Sequence, residues 1–420
     1  MTALLGGRGK GYGRYRPEAM RLDVPRIRRA TMGGRQAQKE AKMQRYDLAI
    51  VGGGILGLAH ALHGARAGLR VAVLERGARA DGASVRNFGM LAIVAQRPGA
   101  QLDSARAALS TWQEVAAAAG IAMRRAGCLF VARHDAEMTV LEEGAAQAGS
   151  QGHDFTLLDA EAAHARAPGL RRDTVLGGLY SPDAWKLDQR GALARLSDWL
   201  ARAHGVAFHF GTEVLAAGEG RVETAAGSFG ADHVVLCGGE DFATLFPDAW
   251  AQSGVDVCRL QMLRTAPQPA GWRLGPFVLG GLSLARYDAF ADCPGLPQLR
   301  AHQQAHQADA LAHGVHVIAA QEEDGSVTLG DSHHYGADAA PADPAEVDEI
   351  ILREFGGMLD LPEPAIARRW VGRYAHLPGQ EVLTLAPAKG VTAVTVTNGQ
   401  GMTHGFTIAA RTIAGIVKQA

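Results

Sequence analysis

The residues best placed to do chemistry in this chain are glycines. Gly52-Gly53-Gly54-Ile55-Leu56-Gly57 forms a GxGxxG run that follows the apolar segment Tyr46 to Val51 and opens an Ala-rich stretch ending near Gly68. In that setting Gly52 allows a tight turn, Gly54 lets backbone amides approach a pyrophosphate, and Gly57 permits close packing of helix on strand. The helix N-terminus adds partial positive charge for the phosphates. Glu75 ends a second apolar run, Leu69 to Glu75, about 20 residues further on, where a carboxylate accepts hydrogen bonds from ribose hydroxyls and repels a 2'-phosphate. Arg76 and Val214 are counted with the same site. A nucleotide-free glycine turn is the bland alternative, and the strand-turn-helix context argues against it.

A second glycine-rich turn lies far away, at Asn398-Gly399-Gln400-Gly401-Met402-Thr403-His404-Gly405, between the buried run Val391 to Val396 and a C-terminal helix. A nicotinamide dehydrogenase needs no such turn in its closing segment, whereas FAD must have its isoalloxazine ring held far from its adenine end. Gly399, Gly401 and the backbone amides near Met402 and Thr403 suit that task, because a helix N-terminus stabilises the negative charge of a reduced ring at N1 and the C2 carbonyl. A third approach comes from Asp232 to Gly239, a buried strand running into Cys237, Gly238 and Gly239.

These pieces need a scaffold, and the composition supplies one. With 47% hydrophobic and 20% charged residues over 420 positions, the chain has the balance of a globular protein with room for two cores. No run of 18 or more apolar residues is present, so no membrane span is expected. The four cysteines, Cys128, Cys237, Cys258 and Cys293, are scattered without CxxC or Cys/His spacing. That pattern argues against a zinc site or a disulfide framework and fits a cytoplasmic protein. Residues 1–45 carry 12 Arg and Lys against 3 acids and lack hydrophobic periodicity. Arg28 and Arg29 have no apolar stretch behind them, so an export signal is not expected and this segment reads as a disordered basic extension, with Met43 as a possible true start. A nucleic-acid or membrane tether is the alternative use of such charge.

From residue 46 a strand, turn, helix and second strand make a βαβ unit. Helical patterns follow at about 102–119 and 135–148, a strand at Cys128 to Ala132, a strand at Leu176 to Tyr180, and an amphipathic helix at Gln189 to His204. Ala207 to Phe210 and Val222 to Glu223 read as short strands. Between about 251 and 365 the pattern becomes short strands, Pro-rich turns and His-rich loops, with Val315 to Ala320 and Ser326 to Leu329 as a hairpin. The expected fold class is α/β, α+β overall. A Rossmann-like FAD-binding domain of glutathione-reductase type, built from 46–125, 186–250 and 370–420, carries a second, mainly antiparallel substrate domain from 126–185 and 251–369.

Taken together, GGGILG with Glu75, then Ala83-Ser84-Val85-Arg86-Asn87-Phe88-Gly89-Met90, then Val235 to Gly239, then GQGMTHG, resemble the D-amino-acid oxidase, glycine oxidase and sarcosine oxidase superfamily, in order from about 46 to 420. The resemblance implies hydride transfer from the carbon next to an amine to flavin N5, giving an imine that water hydrolyses. It also places Ser84, Arg86, Asn87, Phe88 and Gly89 along the pyrophosphate and flavin. The segments SVRNFGM, LQMLRTAPQP, LARYDAF and GDSHHYG are similar to a bacterial subgroup associated with phosphonate breakdown. That similarity implies an aminophosphonate substrate, such as 2-aminoethylphosphonate or its N-methyl form, ahead of glycine, sarcosine or a D-amino acid.

A small anionic amine of this kind wants arginines, and Arg264, Arg286, Arg369 and Arg373 sit in the segments expected near the substrate face, with Arg286 and Arg373 favoured. For each, a surface or interdomain ion pair is the competing role. Tyr287, His333, His334, Tyr335, Tyr374 and His404 are candidates to orient or deprotonate the amine, since hydride loss requires its neutral form. No dedicated base is required by the resemblance, so orientation and the flavin carry most of the C–H cleavage. No lysine lies between Lys186 and Lys389, so the oxygen-activating lysine of sarcosine oxidases has no counterpart, and oxygen or another acceptor takes the electrons. A 2-hydroxy-acid dehydrogenase and a non-catalytic flavin sensor are the readings from other classes. No metal ligand set and no nucleic-acid partner are expected.

Where those relatives attach FAD through cysteine, this chain has Val371-Gly372-Arg373-Tyr374, without a thiol. FAD is therefore expected to be non-covalent. Acid precipitation should leave a colourless pellet and a yellow supernatant; colour retained by the pellet contradicts this.

Overall fold

The computed structural model describes residues 44–336, 340–341 and 343–419. The basic extension lies outside the described residues apart from Gln44 and Arg45, and Arg45 already belongs to the first strand, paired with Asp232. Ten elements position the site: β1 (Arg45–Val51), α1 (Ile55–Arg66), β2 (Val71–Glu75), β3 (Gly227–Leu236), β4 (Asp256–Thr265), β5 (Ile318–Gln321), β6 (Val327–Gly330), β7 (Ile366–His376), β8 (Val391–Val396) and α2 (Gly401–Gln419).

β1 runs parallel to β2 on one side and to β3 on the other, with Leu48 opposite Val71 and Val51 opposite Leu236. The strand Ala207–Phe210 extends this parallel sheet beyond β2, and β8 extends it beyond β3. Central strands buried on both faces must be apolar throughout, and Leu48, Ala49 and Ile50 of β1 are fully buried. One face is covered by α1, α2 and the helices Ala100–Ala119 and Gln189–His204, whose Leu58, Leu62, Trp112, Leu196 and Phe406 share a core with Leu48 and Ile50. Trp112 and Phe406 meet edge to face at 5.0 Å between ring centroids.

The second sheet runs β7, β4, β6, β5, Phe277–Leu279, Cys128–Ala132, Gly177–Ser181 and Thr156–Asp159. Every neighbouring pair in it is antiparallel except Phe277–Leu279 beside Cys128–Ala132. The mixed α/β class and the largely antiparallel second sheet thus agree with the reading of the sequence. Two details differ. β7 pairs with β4 along its length, so the second sheet runs on to His376, past the expected boundary at 369. Residues 251–365 also hold helices where loops were expected, chiefly Leu296–His306 and Pro344–Gly356. In the first, a buried Gln303 interrupts the apolar spacing; in the second, Val347, Ile350, Ile351 and Phe355 do follow a helical stripe behind the Asp343 cap.

A buried charge cluster joins this second sheet to a small one. Lys186, on the strand Trp185–Leu187 that pairs with Met90–Leu91, places Nζ 3.0 Å from Glu322 Oε2, and Arg264 of β4 places Nη2 3.2 Å from Glu322 Oε1. Thr328 donates its hydroxyl to the same carboxylate at 2.6 Å. Lys186 also donates to the Phe88 carbonyl at 2.7 Å. Burial lowers the Lys186 pKa, and the Glu322 charge is the principal force opposing that shift. Glu322→Gln should leave two buried cations without an anion and lower the unfolding free energy by about 3–5 kcal/mol; a urea midpoint that does not move contradicts this.

Candidate active site

A cavity of about 680 Å³ runs between the two sheets, from Glu75 at one end to Tyr374 and Asp331 at the other. At the Glu75 end the glycines leave no room for side chains. Gly52 has φ +105°, and a Cβ there would sit 2.4 Å from the Cys237 carbonyl oxygen; a Cβ on Gly57 would sit 1.9 Å from the Gly52 carbonyl oxygen. Glu75 accepts the Gly53 N–H at 2.7 Å and the Gly77 N–H at 2.8 Å, so its carboxylate is fixed at the mouth of the turn. The Ile55 N–H, at the start of α1, donates to Ser84 Oγ at 3.0 Å.

Of the residues expected at the cofactor, Gly52, Gly54, Ile55, Leu56, Glu75, Arg76, Ser84, Arg86, Asn87, Phe88, Val214, Cys237 and Gly238 line this cavity. Gly53, Gly57 and Gly89 do not, and act behind the wall as turn and packing positions. Asn87 closes its own loop, accepting the Gly89 N–H at 2.7 Å and donating to the Ala83 and Ser84 carbonyls. Cys237 is buried against His60, and burial raises its thiol pKa.

The opposite wall is the start of α2. Gly399, at φ +75°, turns the chain so that Gly401, Met402 and Thr403 line the cavity at the positive end of the helix. Thr403 is held twice: its N–H donates to the Gln400 carbonyl and its hydroxyl accepts the Ala92 N–H at 3.1 Å. The Met402 carbonyl accepts the Trp112 indole N–H at 2.8 Å. His404, one of the candidates to orient or deprotonate the amine, does not line this cavity. It is bonded to Gln96 Oε1 at 2.9 Å and to Ser104 Oγ, and burial brings its pKa down to about 4. It is a neutral packing residue.

Beyond Phe88, the far end of the cavity joins an apolar patch, Leu260, Met262 and Ile318, to a polar group of Arg286, Tyr287, His316, Asp331, His333, Arg373 and Tyr374. Arg286 Nη2 reaches toward Tyr374 Oη at 3.5 Å, and no carboxylate forms an ion pair with Arg286 among the described residues. Burial raises the Tyr287 and Tyr374 pKa values and holds His316 and His333 neutral. Burial also pushes Asp331 up to about 7 against the pull of Arg286. Three expected participants lie outside the cavity because other partners hold them: Arg264 with Glu322, Arg369 with Asp348, and His334 with His313 at 3.0 Å. Tyr335 is exposed on the outer edge of the sheet.

His316 and Asp331 were not foreseen. Their sequence separation carries no motif, and they become neighbours only through the β5–β6 ladder, where Ile318 faces Gly330 and the His316 N–H donates to the Asp331 carbonyl at 2.7 Å. Extending the register of that hairpin would not have paired them: beyond Ile318 and Gly330 it sets Val317 against Asp331 and His316 against Ser332, and the bond from the His316 N–H to the Asp331 carbonyl departs from it.

The parallel sheet with its glycine turn, the fixed carboxylate at the end of β2, and a helix terminus closing a long cavity define a flavin-dependent oxidoreductase. The family model described as DAO, FAD dependent oxidoreductase, matches residues 47–414, and the chain belongs to that family. FAD is its cofactor, and the backbone cradle at Gly52, the Glu75 carboxylate and the α2 terminus fit the molecule's phosphates, ribose and ring. Glycine oxidase of Bacillus licheniformis is 29% identical over 216 residues, which are 48% of this chain and 56% of that protein. D-amino acid dehydrogenase of Phenylobacterium zucineum is 36% identical over 121 residues, 27% of this chain and 28% of that one. The chain thus aligns with little more than half of the first of these relatives and a smaller share of the second. Among solved structures, glycine oxidase from Geobacillus kaustophilus superposes with a TM-score of 0.68 at 20% identity, over 90% of this chain and 95% of that one. L-proline dehydrogenase from P. horikoshii gives 0.68 at 18%, over 89% and 94%. These two show the shared fold. Among the described residues no helix is long and apolar enough to cross a membrane.

Gly57→Ala should force α1 away from the turn and abolish FAD retention, read as loss of absorption at about 450 nm. A variant that binds FAD as the parent does contradicts the packing role given to Gly57.

Proposed function

We propose that this enzyme oxidises a small amine bearing an anionic group, the hydride leaving the carbon next to nitrogen, with an aminophosphonate such as 2-aminoethylphosphonate or its N-methyl form as the substrate. Bound FAD supplies the hydride acceptor, and oxygen or another oxidant then takes the electrons. The observation that carries the reading is Arg286, a guanidinium on the cavity wall with no carboxylate ion pair among the described residues, grouped with Tyr287, Tyr374 and His333. Asp331, the carboxyl that Arg286 acts on in this pocket, is pushed up by burial, so the guanidinium keeps capacity for an anionic ligand, and the phenol groups add donors for its remaining oxygens. A phosphonate dianion uses more of these donors than a carboxylate does. Arg373 also lines the cavity, from the neighbouring strand.

The protein's own contribution is placement. The apolar Leu260, Met262 and Ile318 exclude water beside the reacting carbon, while the anionic group is held at Arg286 and the amine is oriented for loss of hydride. A second reading, an amino acid as substrate, is favoured by the names of the relatives, glycine oxidase and D-amino acid dehydrogenase.

Anaerobic mixing with a panel of aminophosphonates, N-methyl amino acids, glycine, D-amino acids and 2-hydroxy acids separates these. The flavin absorption should bleach fastest with an aminophosphonate; bleaching by amino acids alone supports the second reading, and bleaching by hydroxy acids alone refutes both. Arg286→Ala should raise the half-saturating substrate concentration about 10- to 100-fold while FAD stays bound, the loss of a charge-assisted hydrogen bond. Unchanged saturation removes Arg286 as the anchor.

A further inference from the structure

His316, Asp331 and His333 are each more than nine-tenths buried, and each brings one potential ligand atom within 4.8 Å of those of the other two. Asp331 Oδ1 and His316 Nε2 have no hydrogen-bond partner although both are shut off from solvent. A buried carboxylate oxygen and a buried imidazole nitrogen without hydrogen-bond partners in one cluster are ligand types that a cation recruits.

The backbone holds the three residues in place. His316 precedes β5 and Asp331 follows β6, and the cross-strand bond from the His316 N–H to the Asp331 carbonyl, 2.7 Å, locks their relative position. The His333 N–H donates to the His313 carbonyl at 2.9 Å. His333 Nδ1 lies 3.0 Å from the Gly314 carbonyl and 3.9 Å from Asp331 Oδ1; the carbonyl can only accept, so Nδ1 carries the proton and Nε2 keeps the lone pair that a metal ion would use. A backbone carbonyl fixing the tautomer in this way is the usual support of a metal-binding imidazole.

We propose that His316, Asp331 and His333 bind one divalent transition-metal ion of the zinc class, with a further coordination position open to the cavity. Two imidazoles and one carboxylate suit such an ion better than Mg²⁺ or Ca²⁺, which take oxygen ligands. Ligands about 2.1 Å from an ion in tetrahedral geometry stand about 3.4 Å apart, so side-chain shifts of roughly 1 Å complete the shell. All three residues line the cavity together with Arg286. An ion there joins the guanidinium in making this end strongly cationic, and an oxyanion in the cavity is its natural outer ligand. The site goes beyond the substrate reading above and does not require it.

The test uses the FAD-bound enzyme without a histidine tag, dialysed against Zn²⁺ and then against metal-free buffer, with zinc measured by mass spectrometry and FAD by absorbance. The parent should retain about one zinc per FAD, and Asp331→Asn and His316→Ala should retain less than about a tenth of that with FAD content unchanged. A parent that retains no zinc overturns the proposal, whatever the variants do. So do variants that keep both FAD and a full equivalent of zinc, since the ion then sits elsewhere. Should His316→Ala lose FAD, the near-isosteric Asp331→Asn decides.

Discussion

The molecule depends on how closely the C-terminal ends of β1 and β3 approach. Their parallel register sets the Gly52 α-carbon against the Cys237 carbonyl, with no space for even a methyl group between them. From that contact the turn, the direction of α1 and the position of Ser84 over its first amides all follow. Glu75 is then locked by the same turn, because the Gly53 N–H it accepts is part of the loop that the close approach creates.

The far end of the cavity obeys a different constraint. It is roofed by β-strands whose polar side chains have few partners, so much of its chemistry comes from burial. Imidazoles are held neutral, phenols kept protonated and a carboxyl raised, all by the same exclusion of water. β7 carries this environment to the flavin half. Trp370 donates to the Arg86 carbonyl and Arg86 to the Val371 carbonyl, while His376 bridges to Asn398 at the approach to α2.

The nucleotide half was largely legible in the sequence because its signals are local. A glycine triplet between a strand and a helix, with an acid after the next strand, specifies a turn within some thirty residues, and Gln189–His204, Ala207–Phe210 and Val391–Val396 fell where their periodicity placed them. The far end of the cavity was legible only in part. Arg286, Tyr287, His333, Arg373 and Tyr374 were named and do line the cavity, but Arg264, Arg369, His334 and His404 were named on the same grounds and are committed to other partners. Residue type shows what a side chain can do; whether another group has already claimed it is decided by sheet register, and register here links positions far apart in the chain. The same reason hid Asp331 and His316.

The Lys186, Glu322 and Arg264 cluster bears on how such an enzyme can change over evolutionary time. Its three charges come from three separated stretches of chain, one of them in the small sheet beside the flavin loop and two in the roof. A recombination event that imported a foreign roof would bring an acid without its lysine or strand a lysine without its acid. Exchange of a whole segment is therefore tolerated only where the incoming piece carries the matching charges, whereas single side chains around the pocket can be replaced without disturbing the cluster.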